Sequence, residues 1–163
     1  MATKSLHDKV ENGGRLPKFI NKYGQKVGAE DRDKLNLVTF EIHGHKATAQ
    51  AVVMRHYLAL VDNLKERGIV IAPISSFRTY QEQVNIIQNI CGGSPSAGCP
   101  GLAAPAGYSA HETGAAFDSH LISRGGNSYE DTYRIYIHEA GKENFYNFSH
   151  SSDPWHLSFA EPH

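Results

Sequence analysis

Between Ala47 and Arg67 the apolar residues Val53, Tyr57, Leu60, Val61 and Leu64 recur on one helical face, which predicts an amphipathic helix closed by Gly68. Upstream, LNLVTFEIHG (35–44) alternates apolar with polar residues and predicts a strand ending at Gly44. GIVIAPISS (68–76) is a short apolar run, expected as a buried strand. Thr79 and Glu82 have the spacing of a capping box, at the head of a helix running to about Ile90. Residues 91–108 predict a loop, and a strand is expected from Ala115 to Leu121. Ser128 to Glu143 predicts another helix, with Tyr133, Ile137 and Ala140 inward and Asn144 as its left-handed stop. NFYNFSH (144–150) and WHLSFA (155–160) have strand character, while residues 1–35 are polar and Gly-rich and predict a loosely structured lead-in. With no repeat and no βαβ rhythm, the pattern predicts a single α+β domain over 1–163, a small antiparallel sheet flanked by helices.

Charge narrows the partners. The chain has 16 Lys+Arg against 17 Asp+Glu, a balance that creates no field to gather nucleic acid or an anionic membrane. No apolar run approaches the roughly 18 residues of a membrane span, and MATKSLHDKVENGG lacks the apolar core of a signal peptide. A monomer made in the cytoplasm is the expectation. Cys91 and Cys99 flank a Gly/Ser/Pro loop. A disulfide there would contribute roughly 2.5 kcal/mol through chain entropy, and two free thiols are the alternative; the sequence leaves both open.

Histidine is abundant, with ten copies, most of which need no special role. His43-Gly-His45 fits a surface strand, and His7 and His163 lie near the ends. SAHETGAAFD (109–118) is more pointed, because it sets His111 close to Asp118. On a helix the two would be about 10.5 Å apart along the axis. On a straight strand they would be about 23 Å apart and on opposite faces. Metal bonds are only about 2.0–2.2 Å long, so a shared ion requires a turn. Gly114, Ala115 and Ala116 make one possible; two ordinary surface groups in a small-residue loop are the bland alternative. In SSDPWHLSF, Asp153 and His156 are three residues apart, with Trp155 placed to wall the histidine from water. Three protein ligands and one open position characterise a catalytic zinc; His111, Asp118 and His156 fit that role, leaving Asp153 as general base. No HExxH is present, which excludes the thermolysin arrangement.

The ordered motifs Ser109-x-His111-x-x-Gly114-x-Ala116-x-Asp118 and Asp153-Pro-Trp-His156 resemble the signature of the zinc D-alanyl-D-alanine carboxypeptidase and endolysin family, related in fold to the hedgehog zinc domain. SSFRTYQEQ resembles that family's S-x-Y-R-S-x-x-x-Q segment, with Phe77 for the usual tyrosine, and PAGYS resembles its P-G-x-S. The likeness covers roughly residues 47–160. It implies one Zn2+ per chain in a cleft on the sheet, Arg78 as a catalytic and substrate-binding residue, and Gln83 and Ser109 as further substrate contacts. Ser109 could equally just shape the turn, and His120 could support the site or sit at its rim.

The resemblance implies a peptidase cutting the stem peptides of bacterial peptidoglycan, with carboxypeptidase action at terminal D-alanine favoured. Asp153 departs from the glutamate of many such carboxypeptidases and resembles the L-alanyl-D-glutamate endopeptidases, so a phage endolysin released onto the wall at lysis is the alternative. A non-catalytic hedgehog-like zinc module is a further one, against which Asp153 and Arg78 argue, since a structural zinc needs neither.

Overall fold

The computed structural model describes residues 37–99, 102–107, 109–147 and 154–159. The lead-in expected over 1–35 and Asp153 lie outside the described residues.

The chain enters as a hairpin. Strands β1 (Leu37–Ile42) and β2 (His45–Gln50) pair antiparallel from Leu37↔Gln50 to Ile42↔His45. His43 and Gly44 form the two-residue turn, with φ of 47° and 85°, the doubly left-handed geometry that suits the twist of a tight hairpin. The expected strand therefore stops two residues early, and Ala47–Gln50, expected as the first turn of a helix, form β2 instead. Cross-strand pairing decides this: Ala47 and Ala49 are buried, while Thr48 Oγ1 meets Thr39 Oγ1 at 2.8 Å.

Helix α1 (Ala51–Glu66) follows, with Val53, Met54, Tyr57, Leu60, Val61 and Leu64 buried. Gly68, at φ 78°, lies just past its end as expected. The remaining strands are β3 (Val70–Ser75), β4 (Ala116–Ser123), β5 (Phe145–Tyr146) and β6 (His156–Phe159). They form one antiparallel sheet in the order β3-β4-β6-β5. Helix α2 (Tyr80–Cys91) starts on the predicted Thr79–Glu82 capping box. Helix α3 (Tyr129–Lys142) is capped by Ser128, and Asn144 adopts φ 63° beyond it. The architecture is α+β, with three α-helices and two antiparallel sheets among the described residues.

The main core joins α1, α3, one face of the larger sheet and the buried side of the hairpin, with Ile42, Ala47 and Ala49. Tyr57 stacks on Phe117 at 3.9 Å between ring centroids, and Phe145 meets both rings edge-on. In α3 the fully buried aromatic is Tyr136, with Tyr133 and Ile137 only half-buried against the core, so the inner face is rotated from the expected one. A tyrosine can occupy that inner line because its hydroxyl is satisfied: Tyr136 Oη donates to the Trp155 carbonyl at 2.8 Å and lies 2.9 Å from Ser119 Oγ.

A second small cluster, Ile87, Cys99 and Ala106, joins α2 to the following loop. Cys91 and Cys99 are bridged by a disulfide, which resolves the open choice between thiols and a bond. Replacing both cysteines with alanine should lower unfolding free energy by about 2.5 kcal/mol, the entropy of so short a closed loop. Denaturant melts of the oxidised protein and the double variant measure that difference.

Candidate metal centre

The turn demanded by the His111–Asp118 spacing is present. Ala110–Thr113 form a single 3-10 turn, with Ser109 as its N-cap. Ser109 Oγ accepts from the His111 N–H at 3.2 Å, and Gly114 ends the turn at φ 73°. A Cβ at Gly114 would lie 2.8 Å from Leu37 Cδ2 and 3.2 Å from the Gln50 nitrogen, so space and backbone angle both require glycine. The turn is locked to the hairpin as well. Gln50 N–H donates to the Gly114 carbonyl at 2.9 Å, and Gln50 Nε2 donates to the Thr113 carbonyl at 2.6 Å.

Asp118 and His156 come together by strand register. They are direct partners across the β4–β6 ladder, and Ser75 pairs with Asp118 from the other side. His156 Nδ1 lies 2.8 Å from Asp118 Oδ1, and His111 Nε2 lies 3.3 Å from Asp118 Oδ2. The two imidazoles meet edge to face with centroids 5.0 Å apart. One donor atom from each of His111, Asp118 and His156 lies within 4.8 Å of the others, the only such trio among the described residues.

Protonation states follow from the partners. Burial lowers the His111 pKa; Asp118 opposes that shift and the nearby Arg78 charge adds to it, leaving the ring below its ordinary value. His111 Nδ1 lies 2.7 Å from the Ser76 carbonyl, a group that can only accept, so Nδ1 donates there. For Asp118 burial raises the pKa, but the imidazoles of His111 and His156 outweigh it and hold the carboxyl well below the usual carboxylate range. His111 Nε2 lies 3.3 Å from Asp118 Oδ2, close enough for both atoms to approach one bound cation. A set of two imidazoles and one carboxylate, with outer ring nitrogens held by the Ser76 carbonyl and by Ser158 Oγ, has the donor chemistry of a hydrolytic zinc.

Arg78 sits at the corner between β3 and α2. Its backbone N–H donates to the His111 carbonyl at 3.0 Å, tying that corner to the histidine turn. Its guanidinium donates to Gln83 Oε1 at 2.7 Å and Ser75 Oγ at 2.9 Å. Gln83 is 1% exposed, and its amide also donates to the Ala104 carbonyl at 2.8 Å. It thus stands behind Arg78, between the guanidinium and the Ala104 carbonyl. Ser109 is buried and shapes the turn.

Three further placements differ from simple expectation or were missed. Trp155, in the turn just before β6, packs on Tyr129, Tyr133 and Tyr136. His120 is exposed, with its ring 6.4 Å from that of His45. Glu112 is buried, and its carboxylate accepts backbone N–H groups of Gly107 and Ser109 at 2.9–3.0 Å. The signal was there, because Ser109-Ala-His-Glu112 is itself a capping box.

The α+β domain brings two histidines and an aspartate to one point, a donor set that metal-dependent hydrolases use. A family model described as VanY, D-alanyl-D-alanine carboxypeptidase, matches residues 46–162, and the chain belongs to that family of peptidoglycan peptidases. A search of curated proteins found no match. Among solved structures, the chain is similar to a variant of the vancomycin resistance D,D-pentapeptidase VanY in complex with Zn(II), at 17% identity and TM-score 0.63, over 87% of this chain and 86% of that one. It is similar to VanYB in complex with D-Alanine-D-Alanine at 16% identity and TM-score 0.62, over 88% and 86%. The LdcB LD-carboxypeptidase aligns at 18% identity and TM-score 0.54, over 77% and 85%.

Gly114→Ala should destabilise the protein by more than about 1 kcal/mol, because the added Cβ meets both a left-handed backbone and the hairpin. Thermal melts beside those of the exposed-site control Gly126→Ala, which has open space but the same positive φ, separate steric from backbone cost.

Proposed function

We propose that the chain is a zinc D-alanyl-D-alanine carboxypeptidase, removing the terminal D-alanine from peptidoglycan stem peptides. The convergence of His111, Asp118 and His156 within 4.8 Å, in a chain of the VanY family, carries the reading. One Zn2+ held by those three residues would polarise the scissile carbonyl and lower the pKa of a water molecule. Asp153, three residues before His156 in sequence, takes the proton of the attacking water and passes it to the leaving amine. Arg78 grips the terminal carboxylate, with Gln83 and Ser75 fixing the plane of its guanidinium. Among the described residues no helix is long and apolar enough to cross a membrane.

Asp153→Asn should keep the metal and lose roughly 100-fold or more in turnover, the scale of a removed general base. Metal content and turnover measured on the same sample check this, and loss of zinc alongside activity would make Asp153 a ligand.

The bond itself is tested by mass spectrometry of a pentapeptide muropeptide after digestion. Loss of a single alanine is expected. Release of a peptide beginning with D-glutamate would instead establish the L-alanyl-D-glutamate endopeptidase activity of an endolysin, in keeping with the shorter Asp153 side chain.

A further inference from the structure

Helix α2 turns one face toward the loop that follows it, and along that face Gln83, Ile87 and Cys91 stand four residues apart. Each engages the loop differently. Gln83 Nε2 donates to the Ala104 carbonyl at 2.8 Å, Ile87 packs with Cys99 and Ala106, and Cys91 is bonded to Cys99. The apolar part is small: Ile87, Cys99 and Ala106 are its buried residues, with Val84 and Ala103 at the edge. With so little apolar surface buried, the covalent bond is the strongest tie between helix and loop.

From Cys99 the tie passes directly to the backbone that Gln83 contacts. Cys99 N–H donates to the Ala103 carbonyl and Ala103 N–H to the Cys99 carbonyl, both at 2.8 Å, one residue before Ala104. Gly98, at φ 67°, lies so close that a Cβ there would meet the Pro105 nitrogen at 2.6 Å. The Gln83 carboxamide then has one orientation. Its oxygen accepts from Arg78 Nη1 at 2.7 Å while its nitrogen donates to Ala104. Turned over, it would set donor against donor and acceptor against acceptor. We propose that the Cys91–Cys99 disulfide positions the substrate site, holding the Ala104 carbonyl that sets Gln83 and thereby aims the Arg78 guanidinium. Grip on a substrate carboxylate then depends on the redox state of this pair. Cys91 is exposed, so a dithiol reaches the bond, and exchange leaves two protein thiols and an oxidised reagent. His111, Asp118 and His156 stand on β4, β6 and the turn held by Gln50 and Ser76, outside this series of contacts.

This role rests on the carboxylate grip proposed for Arg78, and the test separates the two. The zinc-loaded protein is compared oxidised, reduced with a phosphine, and as the Cys91→Ala/Cys99→Ala double variant. Thermal melts and metal analysis accompany each sample. The phosphine takes its oxygen from water and leaves both sulfurs as thiols. On a pentapeptide ending in D-alanine, KM should rise about tenfold without the bond, the scale of a disturbed hydrogen bond to a charged group. Turnover and zinc content should stay within about threefold, the pattern of weakened binding rather than weakened chemistry. In parallel, 15N NMR of the guanidinium, assigned with Arg78→Lys, should show restricted Nη rotation when oxidised and averaging once the bond is gone. Arg78 signals that do not change on reduction overturn the role, and so does a KM that stays within about twofold. Loss of zinc or of the fold on reduction makes the bond a general staple and likewise overturns it. If the oxidised protein releases no D-alanine, the carboxypeptidase reading fails, and the Arg78 signals still decide the positioning role. Should the double variant not fold, the reduced wild type decides.

Discussion

The pairing of β4 with β6 is the constraint on which the rest of the site depends. It sets Asp118 directly across from His156, so that two polar groups distant in sequence meet through backbone hydrogen bonding and need no long side-chain reach. On the other face of the same strands, Phe117, Leu157 and Phe159 enter the core with Tyr57 and Phe145. Burial of those apolar groups therefore stabilises the register that the polar groups require. Directly beneath the site, Ser119 Oγ lies 2.9 Å from both Tyr57 Oη and Tyr136 Oη, joining α1 and α3 to the strand that carries Asp118.

The third member of the trio arrives by a different device. His111 is on a 3-10 turn, where little local hydrogen bonding would hold it alone. Its position is fixed from outside by three elements: Gln50 at the end of the hairpin, the Ser76–Arg78 corner, and the Glu112 carboxylate gathering the backbone of Gly107 and Ser109. The smaller sheet thus acts as a clamp on the histidine turn, while Ile42, Ala47 and Ala49 anchor it to the main core.

Much of this was legible in the residues themselves. The Thr79–Glu82 capping box, the left-handed Asn144 and the amphipathic run behind Tyr57 act locally, so a short window contains their cause. The approach of His111 to Asp118 was legible because the turn between them needs small residues, and they are present. What escaped depends on distant partners. Ala47–Gln50 are compatible with helix or strand, and only the facing residues of β1 make them a strand. The bond from the Gln83 amide to the Ala104 carbonyl, 21 positions away, has no local signal. Trp155 is the neighbour of His156 along the chain, yet its ring packs on Tyr136, while the pleat of β6 turns His156 and Ser158 to one side and Leu157 and Phe159 to the other.

That pleat makes β6 unforgiving in a specific way. All four of its residues are buried, Leu157 and Phe159 in the hydrophobic core and His156 and Ser158 on the polar side. A slip of one position would put a leucine opposite Asp118 and an imidazole among the aromatic rings, destroying core and site together. Single-residue insertions or deletions within this strand have no graded outcome. For evolution, such a strand is a locked frame: its side chains can be exchanged one at a time, but its length cannot change by one.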